Sequence, residues 1–172
     1  MPITFDQMGS QPVKAQHKRG RGGYYIVLGT LLSLAVVGFY NLKRIIVHGR
    51  SMEPTFHNGQ NVVVWTSVPR DSLKIGDVIV LDARDGHDLI KRIVFIQNSE
   101  GTAPLPQTVW TPKGTQQFSD LFNNYYADHQ RGAVPPVNDE RFLVMGDNYE
   151  ESEDSRDFGP VATGQIIGKV IR

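Results

Sequence analysis

DLIKRIVFI, residues 88 to 96, is the stretch of sequence that decides the fold. Six of its nine residues are aliphatic or aromatic, a composition typical of β-strands. A strand's period of two places Lys91 and Arg92 on opposite faces, and both faces carry apolar side chains. Lys91 shares its face with Leu89, Ile93 and Phe95, and Arg92 shares the other with Ile90, Val94 and Ile96. We therefore expect a strand that is apolar on both sides and carries at least one desolvated cation.

Other short runs rich in Val and Ile precede and follow this strand. They are IIVHG (45–49), NVVVWTSV (61–68), DVIVLDA (77–83), RFLVMG (141–146) and QIIGKVI (165–171). Turn-forming residues separate most of them and no helical pattern lies between them, which favours antiparallel pairing. The sequence therefore predicts a mostly β fold, an antiparallel β sandwich or barrel-like domain over residues 43–172. Residues 97–140 are polar and contain five prolines, so we expect a small inserted subdomain there, a hairpin or a flap.

The composition excludes several classes of protein. Eighteen basic residues balance eighteen acidic ones, so nothing in the charge indicates a nucleic-acid partner held through its phosphates. The absence of cysteine removes disulfides, thiolate metal sites and a cysteine nucleophile. The five histidines lack the paired spacing that places two ligands on one helix face, so we expect no zinc site.

The N-terminal part of the chain has two zones. Residues 1–22 are polar and carry four basic side chains, which is typical of a mobile basic arm. Residues 23–42 contain no charged side chain, and as a helix they would extend about 30 Å, the thickness of a bilayer's hydrocarbon core. We therefore predict one transmembrane helix over residues 23–42, with the basic arm in the cytosol and residues 43–172 facing outward.

Two alternatives compete with this anchor. A buried core helix would show a polar face, which the segment lacks. A cleavable signal peptide would have an apolar run of about 7 to 15 residues ending in a small-x-small site. Here the run is longer and continues through Phe39 and Tyr40. The anchor is the better interpretation.

SMEPTF, residues 51 to 56, follows the apolar segment closely and contains a candidate nucleophile, Ser51. A serine hydroxyl needs a base within hydrogen-bond reach, usually histidine and sometimes an unprotonated lysine. Lys91 is the first candidate, because burial on an apolar strand face lowers the pKa of a lysine. Lys169 is a rival on another strand. The residues alone also allow a plain interpretation, in which Ser51 is a loop residue and Lys91 an edge lysine with its head in water.

GDNYEESEDSRDFGP, residues 146 to 160, is a glycine-bounded run dense in carboxylates that lacks the ligand spacing of an EF-hand. It completes an ordered series of GRSMEPT (49–55), GDVIV (76–80), IKRIV (90–94), MGDN (145–148) and SEDSRDFGPV (152–161). This series resembles the type I signal peptidases, membrane-bound serine endopeptidases with a Ser/Lys dyad. The likeness covers residues 49–172, and an apolar segment stands where that family has its anchor.

The resemblance implies a role for each matching residue. Ser51 would be the nucleophile, with its backbone N–H in the oxyanion hole, and Lys91 would be the general base. Ser152 would hydrogen-bond the lysine and orient it, and Met52 would line the substrate cleft. The other matches would support the active-site loop or the turn after the nucleophile: Arg92, Asp147, Asp154, Arg156 and Pro54. Gly49 departs from family members that place a serine there to donate a hydroxyl to the oxyanion hole.

The resemblance also implies a function. We expect removal of N-terminal signal peptides from exported preproteins by cleavage after a small residue, at an Ala-x-Ala-like site. The implied partners are preproteins and the bilayer of the cell membrane, with no metal or organic cofactor. Two alternatives stay open: a specialised peptidase of the same fold, such as one that matures a conjugative pilin, and a catalytically silent membrane-anchored binding module. A self-cleaving Ser/Lys repressor is disfavoured, because the chain has an apolar span and no DNA-binding helical region.

Overall fold

The fold is described by a computed structural model, in residues 21–82, 88–98, 100, 103–111, 114–132 and 139–171. Residues 1–20 of the predicted basic arm lie outside the described residues. The chain divides into two compact units, residues 1–37 and 38–172.

Helix α1, Arg21–Tyr40, accounts for the described residues of the first unit. The segment forms a helix because it lacks proline and its two central hydroxyls are satisfied within it. Thr30 Oγ1 donates to the carbonyl of Val27 at 2.8 Å, and Ser33 Oγ donates to that of Thr30 at 2.9 Å. Within the described part of the chain, no helix combines the length and the apolar character needed to cross a membrane. The membrane-spanning segment stays a prediction.

The first helix ends two residues earlier than predicted. It stops at Tyr40, and Leu42 already belongs to a strand that pairs with Trp65 and the residues before it. Asn41 makes the turn, and its carbonyl accepts hydrogen bonds from the backbone N–H and the hydroxyl of Thr66, at 2.8 and 3.1 Å. The first strand is shifted for the same reason: it covers residues 42–46, where the sequence predicted 45–49.

The second unit is built on an antiparallel sheet. Its strands are β1 (Leu42–Ile46), β2 (Asn61–Trp65), β3 (Val78–Asp82), β4 (Asp88–Gln97), a separate hairpin of β5 (Thr108–Thr111) and β6 (Gly114–Gln117), β7 (Arg141–Met145), β8 (Val161–Ala162) and β9 (Ile166–Ile171). Among the described residues the main sheet has seven strands in the order β1-β2-β9-β3-β4-β7-β8, and each neighbouring pair is antiparallel. The predicted mostly β, antiparallel fold is confirmed.

The centre of this sheet is apolar on both faces. The first core cluster contains Val47, Met52, Phe56, Val62, Val64, Val78, Val80, Ile90 and Val170. The second core cluster contains Val68, Leu73, Ile79, Leu81, Ile93, Phe142, Val144, Val161 and Ile166. Alternate residues of β3 enter different clusters, so the two clusters lie on opposite faces. Each fully buried aliphatic side chain contributes about 1.5–3 kcal/mol, so the buried residues of β3, β4 and β7 hold the centre of the sheet together.

Strand β4 does not keep a strict period of two. Ile93 packs in the second core cluster, but Val94 and Phe95 both pack in a third one, and Ile96 returns to the second. The register against β7 shifts between Ile93 and Phe95. Such a bulge adds one residue to one strand, so the alternation changes side beyond it. The predicted common face of Lys91 and Phe95 is therefore wrong, whereas Lys91 and Ile93 precede the irregularity.

The third cluster, called the aromatic cluster here, receives many of its side chains from the predicted inserted region, 97–140. That region holds the β5–β6 hairpin, helix α2 (Phe118–Leu121) and helix α3 (Asn123–Gln130). The buried members are Val94, Phe95, Val109, Phe118, Leu121, Phe122, Leu143 and Met145, and the partly buried rings packed on them are Tyr125, Tyr126 and Tyr149. Burial raises the pKa of Tyr125 to about 12, and its hydroxyl donates to Gln97 Oε1.

Gly168 lies where β9 passes very close to β2. A Cβ atom at this position would stand 2.5 Å from the carbonyl oxygen of Trp65 and 2.7 Å from Val64 Cγ1. These neighbours cannot retreat without disturbing the pairing of Val63 and Val64 with β9. A side chain at residue 168 would therefore separate two neighbouring strands of the main sheet.

We predict that Gly168→Ala lowers the free energy of unfolding by about 1–3 kcal/mol, because the added methyl group overpacks the contact between β9 and β2. Gly164→Ala is the matched control, since a Cβ there meets no atom within 4 Å. Its stability should stay within about 0.5 kcal/mol of wild type. Thermal unfolding of the purified chain, followed by far-UV circular dichroism, measures both. Equal midpoints for the two variants would contradict the steric argument.

Candidate active site

Ser51 begins the turn between β1 and β2, and the sheet holds this turn in place. The backbone N–H of Val47 donates to Gln60 O at 2.8 Å, which closes the base of the loop. Met52 and Phe56 fix the turn from inside, because both are buried in the first core cluster. Ser51 itself is half-buried. The turn therefore holds Ser51 at a half-buried position on a fixed base.

Met52 and Pro54 follow Ser51 and have different surroundings. Met52 is 1% exposed, so its side chain belongs to the core in this structure. Its predicted place in a substrate cleft stays a prediction. Pro54 is exposed, and the peptide bond that joins it to Glu53 is cis.

Gly49, two residues before Ser51, has a backbone conformation that explains why glycine stands there. Its φ is +82°, in the left-handed region that side chains rarely adopt. Its N–H donates to Asn58 Oδ1 at 3.0 Å. A serine at this position would be strained, and the backbone donor of Gly49 is already engaged.

The backbone of Ser51 contacts the loop that follows β7. Asn148 N–H donates to the carbonyl of Ser51 at 2.8 Å. A Cβ atom on Gly146 would lie 2.5 Å from that same carbonyl oxygen and closer still to Ser152 Oγ. Glycine at residue 146 therefore allows the Ser51 turn and the Ser152 hydroxyl to approach each other. No role was predicted for Gly146, although a glycine directly after a strand is a signal of close backbone contact.

Among the described residues, Lys91 has the largest fully buried polar side chain. It is 2% exposed and lies on β4, opposite Ile79 of β3. Its Nζ donates to Ser152 Oγ at 3.1 Å. Burial lowers the pKa of Lys91, and the guanidinium of Arg156 acts in the same direction, while the carboxylate of Asp154 opposes them. The lysine therefore loses its proton more readily than an exposed one.

Asp154 is the acceptor on which this group of side chains converges. It is fully buried, and its Oδ2 accepts from the hydroxyl of Ser152 at 2.9 Å and from the backbone of Gly146 at 3.0 Å. Arg156 donates to it with Nε at 2.8 Å and with Nη2 at 2.9 Å. Burial alone would raise the pKa of Asp154, but these hydrogen bonds outweigh it and hold the pKa below its ordinary value.

The loop that carries these residues is fixed by helix capping. Asp154 is the N-cap of helix α4, Ser155–Phe158, and forms a capping box with Asp157. The hydroxyl of Ser155, for which no role was predicted, accepts from the backbone N–H of Val144 on β7 at 2.9 Å. The loop is thus held to the sheet, and the hydrogen bonds of the capping box orient Asp154.

Arg92 points to a different carboxylate from the one that Lys91 approaches. Its Nε donates to Asp147 Oδ1 at 2.8 Å, and its Nη2 pairs with Oδ2 of the same residue. Its Nη1 donates to Gly76 O at 2.8 Å. A bidentate pair of this kind fixes geometry as well as charge. Arg92 and Asp147 therefore join β4 to the loop after β7 beside Lys91.

Lys169, the rival base, is held elsewhere. Its Nζ forms an ion pair with Asp77 Oδ1 at 2.7 Å, and its side chain is 28% exposed. Among the described residues, no hydrogen bond joins it to Ser51, Ser152 or Asp154. The surroundings of Lys169 are more polar than those of Lys91.

The hydroxyl of Ser51 and the amine of Lys91, both described, form no hydrogen bond to each other. The structure brings Lys91, Ser152, Asp154 and Arg156 together through direct contacts, and it brings Ser51 to this group through its carbonyl and Gly146. Hydrogen bonds of catalytic groups are often long without substrate and shorten when it binds. No cluster of three metal-ligating side chains occurs in the part of the chain that the structure describes.

Comparison with known proteins identifies the family. The sequence matches the family described as signal peptidase, peptidase S26, over residues 22–98 and 95–172. It is 28% identical over 155 residues to signal peptidase IB of Staphylococcus aureus (strain COL), covering 80% of each chain. It is 31% identical over 152 residues to signal peptidase I S of Bacillus subtilis (strain 168), covering 83% of this chain and 82% of that protein. The chain therefore belongs to the signal peptidase family, peptidase S26, and is a serine hydrolase of the type I signal peptidase class.

Proposed function

We propose that this signal peptidase is a membrane-anchored endopeptidase that uses Ser51 as nucleophile and Lys91 as general base. The observation that carries the proposal is the surroundings of Lys91, a lysine 2% exposed whose amine is hydrogen-bonded to Ser152 at 3.1 Å. A buried lysine with one fixed hydroxyl partner is suited to take a proton at neutral pH. The turn of Ser51 meets the same loop through Asn148 and Gly146.

The hydrogen bonds of Ser152 support the role of Lys91 as base. Ser152 has one hydroxyl proton, and it gives that proton to Asp154. Its lone pairs therefore accept a hydrogen from Lys91, which orients the amine. A neutral amine that donates to Ser152 keeps its own lone pair for the proton of the Ser51 hydroxyl.

The reaction then follows the general course of acyl transfer. Ser51 Oγ attacks the carbonyl carbon of the scissile peptide bond while its proton passes to Lys91 Nζ. The protonated Lys91 gives that proton to the leaving nitrogen as the peptide bond breaks, and an ester to Ser51 forms. Water activated by Lys91 hydrolyses this ester, which restores the hydroxyl.

The negative charge on the carbonyl oxygen requires hydrogen-bond donors. We assign the backbone N–H of Ser51 as one such donor. A donor of this kind lowers the activation free energy by a few kcal/mol. Gly49 offers no hydroxyl, and its N–H is engaged by Asn58. A second donor must therefore come from another group or from movement of this turn when substrate binds.

The substrates that we propose are exported preproteins, cut after a small residue at an Ala-x-Ala-like site. Both relatives compared above carry the name signal peptidase, which supports this substrate class. The apolar helix α1 would anchor the enzyme where signal peptides lie. Its exposed rings, Tyr24 and Tyr25, suit the interface between lipid and water.

We predict that Ser51→Ala and Lys91→Met each lower kcat/KM by at least about 10³-fold on a preprotein with an Ala-x-Ala site, because nucleophile and base act as one unit. Cleavage by the purified, detergent-solubilised chain is measured by the mass of the products. Lys74→Met is the matched control, since Lys74 is exposed.

A second comparison tests the choice of lysine. Lys169→Met removes the partner of Asp77 and should cost stability more than catalysis. Loss of cleavage in Lys169→Met with full activity in Lys91→Met would show that the base is assigned wrongly. Full activity in Ser51→Ala would exclude the whole proposal.

We predict that kcat/KM falls as the pH is lowered, because only the deprotonated amine of Lys91 can accept the serine proton. Burial lowers the pKa of Lys91, so the decline should begin below the range in which an exposed lysine titrates. Well below that pKa, the rate should drop about tenfold per pH unit. Initial rates over about pH 5–10 measure this, with tryptophan fluorescence at each pH to exclude unfolding. A flat profile between about pH 6 and 9 would count against a lysine base.

We predict that the full chain stays with the membrane pellet after alkaline carbonate extraction, because the side chains of α1 prefer lipid to water. The double variant Leu31→Lys/Leu32→Lys should move to the supernatant, since two buried charges in lipid cost several kcal/mol. Thr30→Ala, in the same helix, is the control and should remain in the pellet. Release of the wild-type chain would contradict the anchor.

A further inference from the structure

Tyr149 belongs to the loop between β7 and α4, residues 146–154, which is called the active-site loop here, and its side chain lies between the aromatic cluster and Arg156. The guanidinium carbon of Arg156 stands 3.9 Å from the centroid of its ring. The carbonyl of Tyr149 also accepts from Arg156 Nη2 at 2.9 Å. The same residue is partly buried against the aromatic cluster. Tyr149 therefore touches both the apolar packing of the inserted region and the arginine of the site.

A continuous series of contacts leads from this ring to Lys91. Arg156 Nη2 donates to Asp154 Oδ2 at 2.9 Å, and Ser152 Oγ donates to the same oxygen at 2.9 Å. Lys91 Nζ donates to Ser152 Oγ at 3.1 Å. Each member fixes the next one, because each contact uses a specific atom of both partners. Displacement of Arg156 would therefore change the position of the Lys91 amine through Asp154 and Ser152.

We propose that Tyr149 is a positioning residue for the hydrolysis: its ring holds the guanidinium of Arg156 so that Asp154 and Ser152 keep Lys91 aimed at Ser51. The inference rests on the proposed function of the Ser51/Lys91 pair. In this role Tyr149 acts through the contact of its ring with Arg156.

The stacked ring supplies something that the hydrogen bonds of Arg156 do not. The side chain of Arg156 is 14% exposed, and the aromatic face covers the planar guanidinium on one side. An arginine over an aromatic face gains electrostatic attraction, more so where water is excluded. An aliphatic side chain at residue 149 would fill part of the volume but would not hold the plane of the guanidinium.

The charged groups near Lys91 determine whether release of Arg156 raises or lowers the pKa of the lysine. Burial lowers the pKa of Lys91 the most; among the charged groups, Asp154, Glu153 and Asp157 raise this pKa, whereas Arg156 lowers it. All four belong to the active-site loop and α4. If Arg156 is released, its own positive charge moves away and the charge of Asp154 is less well matched. Both changes raise the pKa of Lys91, so the amine would become protonated at higher pH.

The test compares Tyr149→Leu, Tyr149→Phe and wild type in the full, detergent-solubilised chain with a preprotein substrate. We expect Tyr149→Leu to lower kcat about three- to tenfold and leave KM nearly unchanged, because the contact is worth about one cation–π interaction and does not touch substrate. The acid side of its pH profile should move to higher pH. Tyr149→Phe, which keeps an aromatic face, should recover most of the rate and the profile.

Tyr126→Leu is the control for simple loss of packing. Tyr126 packs on the same cluster, with its ring 6.5 Å from that of Phe118, and has no described contact with Arg156. It should lower the thermal midpoint and leave the pH profile in place. An equal shift of the profile in Tyr126→Leu would overturn the inference, as would an unshifted profile in Tyr149→Leu. Equal losses in Tyr149→Phe and Tyr149→Leu would overturn the assignment to the ring.

A measurement without substrate separates this inference from the proposed function. The Lys91 amine can be titrated by nitrogen NMR in chains labelled with 15N at the lysine Nζ, with Lys91→Met to assign the signal. A higher pKa in Tyr149→Leu supports the positioning role even if the wild type cuts none of the preproteins offered. If Lys91 titrates equally in wild type and Tyr149→Leu, and the wild type is active through Ser51, the inference about Tyr149 is overturned while the proposed function stands.

Discussion

The burial of Lys91 is the constraint on which the rest of the site depends. An ammonium group 2% exposed costs several kcal/mol unless it is paired or gives up its proton. Both apply here in part. The amine of Lys91 is hydrogen-bonded to the hydroxyl of Ser152, and Ser152 in turn is hydrogen-bonded to the carboxylate of Asp154. Asp154 in turn is neutralised by Arg156 and by backbone donors. The buried polar side chains near Lys91, those of Ser152 and Asp154, therefore each have hydrogen-bond partners.

Two adjacent residues of β4 show how one strand can serve both structure and chemistry. Arg92 cannot lose its proton, so it is satisfied as a cation by the bidentate pair with Asp147. Lys91 is placed without such a pair, next to a neutral hydroxyl. The strand alternation that sends these side chains in opposite directions is what separates the structural cation from the candidate base. Lys169 resembles Arg92 in this respect, because its charge is paired with the carboxylate of Asp77.

Residue patterns predicted the parts of the fold that depend on local physics. Runs of β-branched residues located six strands, and the apolar surroundings of Lys91 in the sequence indicated its burial. The errors come from contacts that a linear pattern does not contain. The bulge after Ile93 moves Phe95 to another cluster, and the turn at Asn41 starts β1 early. The positive φ of Gly49 depends on the path of the whole turn. The contact between Tyr149 and Arg156 needs helix α4 to be folded.

The absence of a side chain at Gly146 connects these local features. The loop after β7 must approach the turn of Ser51, and only glycine leaves room for both the carbonyl of Ser51 and the hydroxyl of Ser152. Close approach excludes water, and exclusion of water strengthens the interactions of Asp154 with its partners and disfavours a charged Lys91. The same closeness that lowers the pKa of the lysine therefore requires the dense hydrogen bonding of residues 152–156. The carboxylate-rich stretch after β7 thus supplies the partners that a buried lysine requires.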